Sequence, residues 1–135
     1  MSKEKVFIFD TTLRDGAQTE GVDFSVDDKV KIAKRLSEIG LDYIEGGWPG
    51  ANPTDTEYFN TPQQLNKSVF TAFGMTKKIG RSADNDPSLA PILNSNTKAV
   101  CIVGKTWDFH VDVALGITKK ENLENIRETA KYYKK

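Results

Sequence analysis

Residues 7–47 read FIFDTTLRDGAQTEGVDFSVDDKVKIAKRLSEIGLDYIEGG, and the spacing of their apolar positions decides the fold. Val6–Phe9 is an apolar run of strand length, nearly continuous, as expected for a strand covered on both faces. Ser25 and Asp28 stand at capping-box spacing, and Val26, Val30, Ala33 and Leu36 follow at helical spacing. Gly40 is placed to end that helix, and a second apolar run, Leu41–Ile44, starts at once. The stretch reads as strand, helix, strand.

The same pattern continues to the end of the chain. Val69–Phe73 and Ala99–Val103 are two further strand-length runs rich in β-branched and aromatic residues. Thr54 and Glu57 form a second capping-box pattern after Pro53, opening a short helix that Pro62 should interrupt. Asp86-Pro87 starts a third helix, kept short by Pro91. Thr118 and Glu121 cap the last, with Leu123, Ile126, Ala130 and Tyr133 along one face. Four βα units of roughly 30–35 residues each imply a parallel sheet with packed helices. No linker or low-complexity segment divides residues 1–135, so they are expected to form part of one domain. Two architectures fit: a small doubly wound sheet, or four units of a (β/α)8 TIM barrel. A whole barrel needs about 250 residues; at 135 residues the chain is close to half of one, and the N-terminal half-barrel is the preferred expectation.

Charge and cysteine content narrow the function. Nineteen basic residues balance nineteen acidic ones, which makes the electrostatic case for nucleic acid or an anionic membrane weak, and neither partner is expected. The Lys-Lys pairs at 77–78, 119–120 and 134–135 read as solvated surface. Cys101 is the single cysteine, which excludes a disulfide framework or a cysteine zinc site within one chain. Set in the run AVCIV, it reads as a small buried hydrophobe. The start MSKEKVFIF lacks the apolar stretch of a signal peptide, and no segment approaches a membrane span, so a cytoplasmic setting is expected.

In both architectures ligands bind at the carboxyl ends of the strands, so the residues that follow each strand carry the functional signal. Asp10, Arg14, Asp15 and Gln18 follow the first strand, and Glu45 with GGWPGANP the second. GMTKKIG, after the third, is short on chemistry; the fourth runs into GKTWDFH, with Lys105, Trp107, Asp108 and His110. A carboxylate with a histidine can hold a divalent cation, and an adjacent arginine can bind a carboxylate ligand bidentately. Taken singly, each of these residues is more often part of an ordinary turn, ion pair or structural histidine; their coincidence on one rim balances that against a site. There is no G-x-G-x-x-G loop, no P-loop and no G-x-S-x-G nucleophile elbow.

FDTTLRDGAQ resembles the first-strand signature of the DRE-TIM metallolyase superfamily, which includes isopropylmalate, homocitrate and citramalate synthases and hydroxymethylglutaryl-CoA lyase. With YIEGGWPGANPTD, AFGMT and GKTWDFHV, nearly the whole chain is similar to the citramalate synthase branch. The resemblance implies a Claisen-type condensation of acetyl-CoA with a 2-oxo acid, pyruvate in the citramalate case, in branched-chain amino-acid biosynthesis (isoleucine, leucine). It implies that Asp15 binds a divalent metal (Mg, Mn or Zn) and that Arg14 steadies the enolate or the oxo-acid oxygen. Glu45 completes the Asp-Arg-Glu set, Gln18 lies near metal and acyl group, and His110 faces the oxo acid. Asp10 is expected to be at most a supporting hydrogen-bond partner. A lyase running carbon–carbon cleavage with the same residues, and a non-catalytic half-barrel module, are the competing expectations.

The family's late-barrel H-x-H motif has no counterpart here, since His110 is the single histidine. The chain alone is therefore expected to be inactive. Its first and fourth strands would be open edges, so self-association is expected as well.

Overall fold

The computed structural model describes residues 3–134. Four parallel strands, β1 (Phe9–Asp10), β2 (Tyr43–Gly47), β3 (Val69–Met75) and β4 (Ala99–Val103), form one sheet in the order β1-β2-β3-β4. They alternate with helices α1 (Val26–Ile39), α2 (Pro53–Asn60), α3 (Ala90–Leu93) and α4 (Lys119–Tyr133). The strand order decides between the two architectures. A doubly wound sheet reverses direction at a switch point. Here each strand lies beside its successor, and Ala33 of α1, Tyr58 of α2, Ile92 of α3 and Tyr133 of α4 all join one core on one face of the sheet. The sheet is a half-barrel wall.

Its helix-side face is the core. Ile44 and Ala72 are fully buried against Ala33 of α1 and Tyr58 and Phe59 of α2, with Phe70 and Val100 packed beside them. Tyr58, Phe59 and Phe70 interlock by edge and stacked contacts at 4.9–5.8 Å between ring centroids. Burial pushes the Tyr58 phenol well above its ordinary value, with the neighbouring Asp55 adding to the effect.

Local signals account for most boundaries. Ser25 and Asp28 cap α1 reciprocally, and Gly40 closes it at φ 99°. Thr118 and Glu121 do the same at the start of α4. α2 begins earlier than expected: Asn52, not Thr54, accepts from the Asp55 N–H, with Pro53 in the first turn. In α3, four residues long, Pro91 removes a backbone donor early on.

Further expectations are corrected. Val6–Phe9 is not buried; Val6 is 79% and Ile8 55% exposed, because β1 is an edge strand with a neighbour on one side only. β1 itself is just Phe9–Asp10. On α4 the inward row is Asn122, Asn125, Thr129 and Tyr132, while Leu123 and Ala130 face solvent. Two of the buried polar groups find backbone partners: the Asn122 amide nitrogen donates to Lys105 O, and Thr129 Oγ1 accepts from Lys77 N, while Asn122 Oδ1 has no hydrogen-bond partner among the described residues. Lys77 is buried instead of solvated, its ammonium donating to Arg81 O and paired with Glu128; Lys78, Lys119 and Lys120 are exposed, and Lys135 lies outside the described residues. Cys101 is half-buried on the open face instead of sealed in the core.

Between Glu45 and Gly47 the β2–β3 register slips by one residue, a bulge at Gly46. A Cβ on Gly46 would overlap the Phe70 ring and come within 2.9 Å of Tyr58 Cε1. Gly46→Ala should therefore cost about 1–3 kcal/mol by overpacking, read as a lower midpoint in chemical denaturation at unchanged slope.

Candidate active site

The turn after β1 presents Arg14. Thr11 O accepts from the N–H groups of Arg14 (3.1 Å), Asp15 (2.7 Å) and Gly16 (3.3 Å), which folds residues 11–16 tightly back. Asp10 sets the start of that turn, accepting from Thr12 N and Thr12 Oγ1 at 3.0 Å. Leu13, fully buried, anchors the turn in the helix-side core. Arg14 then reaches the opposite face of the sheet.

That face is lined by alternate strand residues. The register aligns Phe9 with Tyr43, Glu45 with Thr71, and Phe73 with Cys101. Arg14 Nε donates to Glu45 Oε1 at 2.5 Å and Nη1 to Asp15 Oδ1 at 3.1 Å, while the guanidinium lies 4.1 Å from the centre of the Phe73 ring. Two of its five N–H groups are thus taken by the described residues, and the outer guanidinium nitrogens retain donors. Glu45 is 1% exposed, so its carboxylate depends on Arg14 for charge compensation. Removing one partner of such a pair costs about 3–5 kcal/mol. Asp15 differs sharply: its side chain is 59% exposed.

A cleft of about 540 Å³ opens beside these groups, bounded by Arg14, Gln18, Trp48, Asn52, Phe73 and Met75. Trp48 meets Phe73 edge-on at 5.5 Å, giving the cleft an aromatic wall. Arg14, Asp15, Glu45 and Gln18 are therefore drawn together, as the sequence implied. His110 is not among them. It stands outside the cleft at the start of a π-helical turn, His110–Leu115, packed edge-on against Trp107 at 4.6 Å. Asp108 pairs with Lys119 on the surface. No three His, Cys, Asp or Glu residues among those described form a group that could hold a metal. Asp15 offers one exposed carboxylate, and a divalent ion is not closed in by the residues present.

Four further residues shape the site without having been singled out by sequence reading. Trp48 and Phe73 form the wall of the cleft. Lys29 and Asp55 form a buried ion pair beneath it. Lys29 carried a signal: Val26, Lys29 and Ala33 lie on one helical face, so a lysine is turned inward.

A family model described as HMGL-like matches residues 5–135. The chain belongs to the HMGL-like family. The DRE-TIM resemblance carried by TTLRDGAQ and EGGWPG holds. Among relatives, the chain is 47% identical over 134 residues to an (R)-citramalate synthase of Aquifex aeolicus (strain VF5), covering 98% of this chain and 25% of that protein. It is 35% identical over 135 residues to a 2-isopropylmalate synthase of Sulfurisphaera tokodaii, covering 99% and 33%. The chain thus spans about a quarter to a third of the curated relatives' length. The structure of hydroxymethylglutaryl-CoA lyase from Pseudomonas aeruginosa superposes with a TM-score of 0.67 at 25% identity, over 96% of this chain and 43% of that one. A half-barrel is what such coverage describes.

Cys101 reports on the charges around Arg14. Burial pushes its thiol up, Glu45 pushes it further, and Arg14 opposes both. A raised thiol has less thiolate at pH 8 and reacts slowly. Glu45→Gln removes an elevating charge and should speed alkylation of folded protein by iodoacetamide, by several-fold, with the largest ratio below pH 9. Rates measured from pH 7 to 10 check this; equal rates throughout would show that Glu45 does not act on the thiol.

Proposed function

We propose that residues 1–135 are the N-terminal part of the catalytic TIM-barrel domain of an acyl-CoA-condensing synthase of the (R)-citramalate type. The whole enzyme would join acetyl-CoA to a 2-oxo acid, pyruvate, with a divalent metal (Mg, Mn or Zn), in cytoplasmic isoleucine or leucine biosynthesis. The observation that carries the reading is the Arg14 guanidinium at the carboxyl end of the sheet, tied to buried Glu45 and keeping donors for a ligand. Relatives named (R)-citramalate synthase at 43–47% identity support it.

In this reading Arg14 holds the oxo-acid oxyanion and stabilises negative charge as the new carbon–carbon bond forms. Its contact with Phe73 and the bond to Glu45 keep it oriented, so little reorganisation is needed at the moment of reaction. Asp15 would give the metal one carboxylate, with the remaining donors outside these residues. Gln18, on the rim of the same cleft, contacts substrate; His110 does so once the β4–α4 segment meets the rest of the barrel. Asp10 supports the turn that carries Arg14. The open β1 and β4 edges favour self-association of the isolated chain. The lyase reading stands second, since its support is a structural likeness at 25% identity.

The test is thiol release from acetyl-CoA with pyruvate. The 135-residue chain should give none. A product of the coding sequence extended to include an H-x-H motif should turn over, and Arg14→Ala in it should lower kcat by about 10²–10³-fold. Turnover by the chain alone, or cleavage of a 3-hydroxyacyl-CoA in place of condensation, would overturn the proposal.

A further inference from the structure

We propose that Lys29 is a positioning residue: through two backbone carbonyls it sets the separation and orientation of Arg14 and Glu45. The Lys29 ammonium, 2% exposed as a residue, donates to Leu13 O at 2.9 Å, to Gly46 O at 3.0 Å and to the Asp55 carboxylate. Leu13 immediately precedes Arg14, and Gly46 immediately follows Glu45. One cation thus holds the neighbouring peptide of each member of the Arg14–Glu45 pair. Those two segments have few other direct ties. β1 contributes two residues to the sheet, paired with Tyr43 and Ile44, and the ladder ends before the turn. On the other side, the Gly46 bulge interrupts the β2–β3 register just past Glu45. Asp55 completes the arrangement, its second oxygen accepting from Trp48 N at 2.8 Å. A lysine is suited to this task, since its three donors can converge on three acceptors from different elements.

This inference rests on the reading of Arg14 and Glu45 as a site, and its test is chosen to separate the two. In the isotope-labelled chain, the Arg14 Nε proton is hydrogen-bonded to Glu45 and should exchange slowly with solvent. Lys29→Met with Asp55→Asn removes both buried charges together, leaving no uncompensated ion. In that folded double variant the Arg14 Nε proton should exchange about tenfold faster or more. Lys77→Met removes a buried ammonium elsewhere, paired with half-exposed Glu128, and should leave the proton unchanged, which separates positioning from general loss of stability. Exchange within about twofold of the native chain in the double variant overturns the proposal. If that variant does not fold, graded denaturant on the native chain decides. Joint loss of the Lys29 ammonium signal and of Arg14 protection below the midpoint of global unfolding supports the proposal; Arg14 protection outlasting Lys29, or lasting to the global midpoint, overturns it. Addition of pyruvate at millimolar concentration tests the other reading: no shift of Arg14 signals counts against Arg14 as the anion site and leaves the Lys29 result standing.

Discussion

The ion pair between Lys29 and Asp55 is the constraint on which the carboxyl end of the sheet depends. Taking two charges out of water costs several kcal/mol per ion, so an ion pair alone is a poor source of stability. What offsets the cost here is complete hydrogen bonding. The ammonium has three acceptors, one Asp55 oxygen takes Lys29, and the other takes the Trp48 N–H. Asp55 is also held by its own backbone, which donates to the Asn52 side chain at the start of α2. The pair explains Gly47 too, whose φ is 146°: a Cβ there would lie 2.6 Å from the Asp55 carboxyl carbon. The glycine pair after Glu45 is therefore a consequence of packing, with Gly46 yielding to Phe70 and Gly47 to Asp55.

The two faces of the sheet obey different rules. The helix side is apolar and closed, with Ile44, Ala72, Tyr58 and Leu13 removed from water. The other side carries Glu45, Thr71, Phe73 and Cys101, and is covered in part by Arg14. A guanidinium suits such a place, because its flat faces stack on an aromatic ring while its edge binds carboxylates. Leu13 is what makes this possible: buried on the helix side, it fixes the turn so that its neighbour must go the other way. Buried apolar area and the placement of a charge are thus linked through one peptide bond.

Elements governed by local chemistry were legible in the sequence. The capping boxes at Ser25 and Thr118, the end of α1 at Gly40 and the span of β4 follow from nearest-neighbour patterns. Elements governed by what lies across space were not. Val6–Phe9 is apolar enough for an interior strand, but among the described residues only partial cover is found, with Phe7 and Phe9 against Tyr43 and Val6 and Ile8 left exposed. On α4, apolar Leu123 and Ala130 face solvent while Asn122 and Thr129 are buried, since backbone groups at Lys105 and Lys77 need partners. At the site, RDG and Glu45 were readable because the chemistry sits on the residues quoted, and they do meet in space. Trp48, Phe73 and Asp55 were not singled out, since stacking and bulge packing depend on register that periodicity alone leaves open. His110 lies apart from Arg14 for a related reason: the π-helical turn that begins there orients its ring toward Trp107.

The arrangement divides charge stabilisation into two kinds. Arg14 is a permanent cation whose counter-ion, Glu45, is built in and 1% exposed, so its position is set before any ligand arrives. Asp15, one residue along, is bound to the same guanidinium yet mostly in water, and it belongs to no group of three His, Cys, Asp or Glu residues among those described. A carboxylate so exposed gains little from its surface ion pair and is free to take a different partner. Adjacent residues on one turn therefore have opposite characters, one locked from below through Leu13 and Glu45, the other left available. The half-barrel thus fixes a cation by its own contacts, whereas no three His, Cys, Asp or Glu residues are gathered among those described.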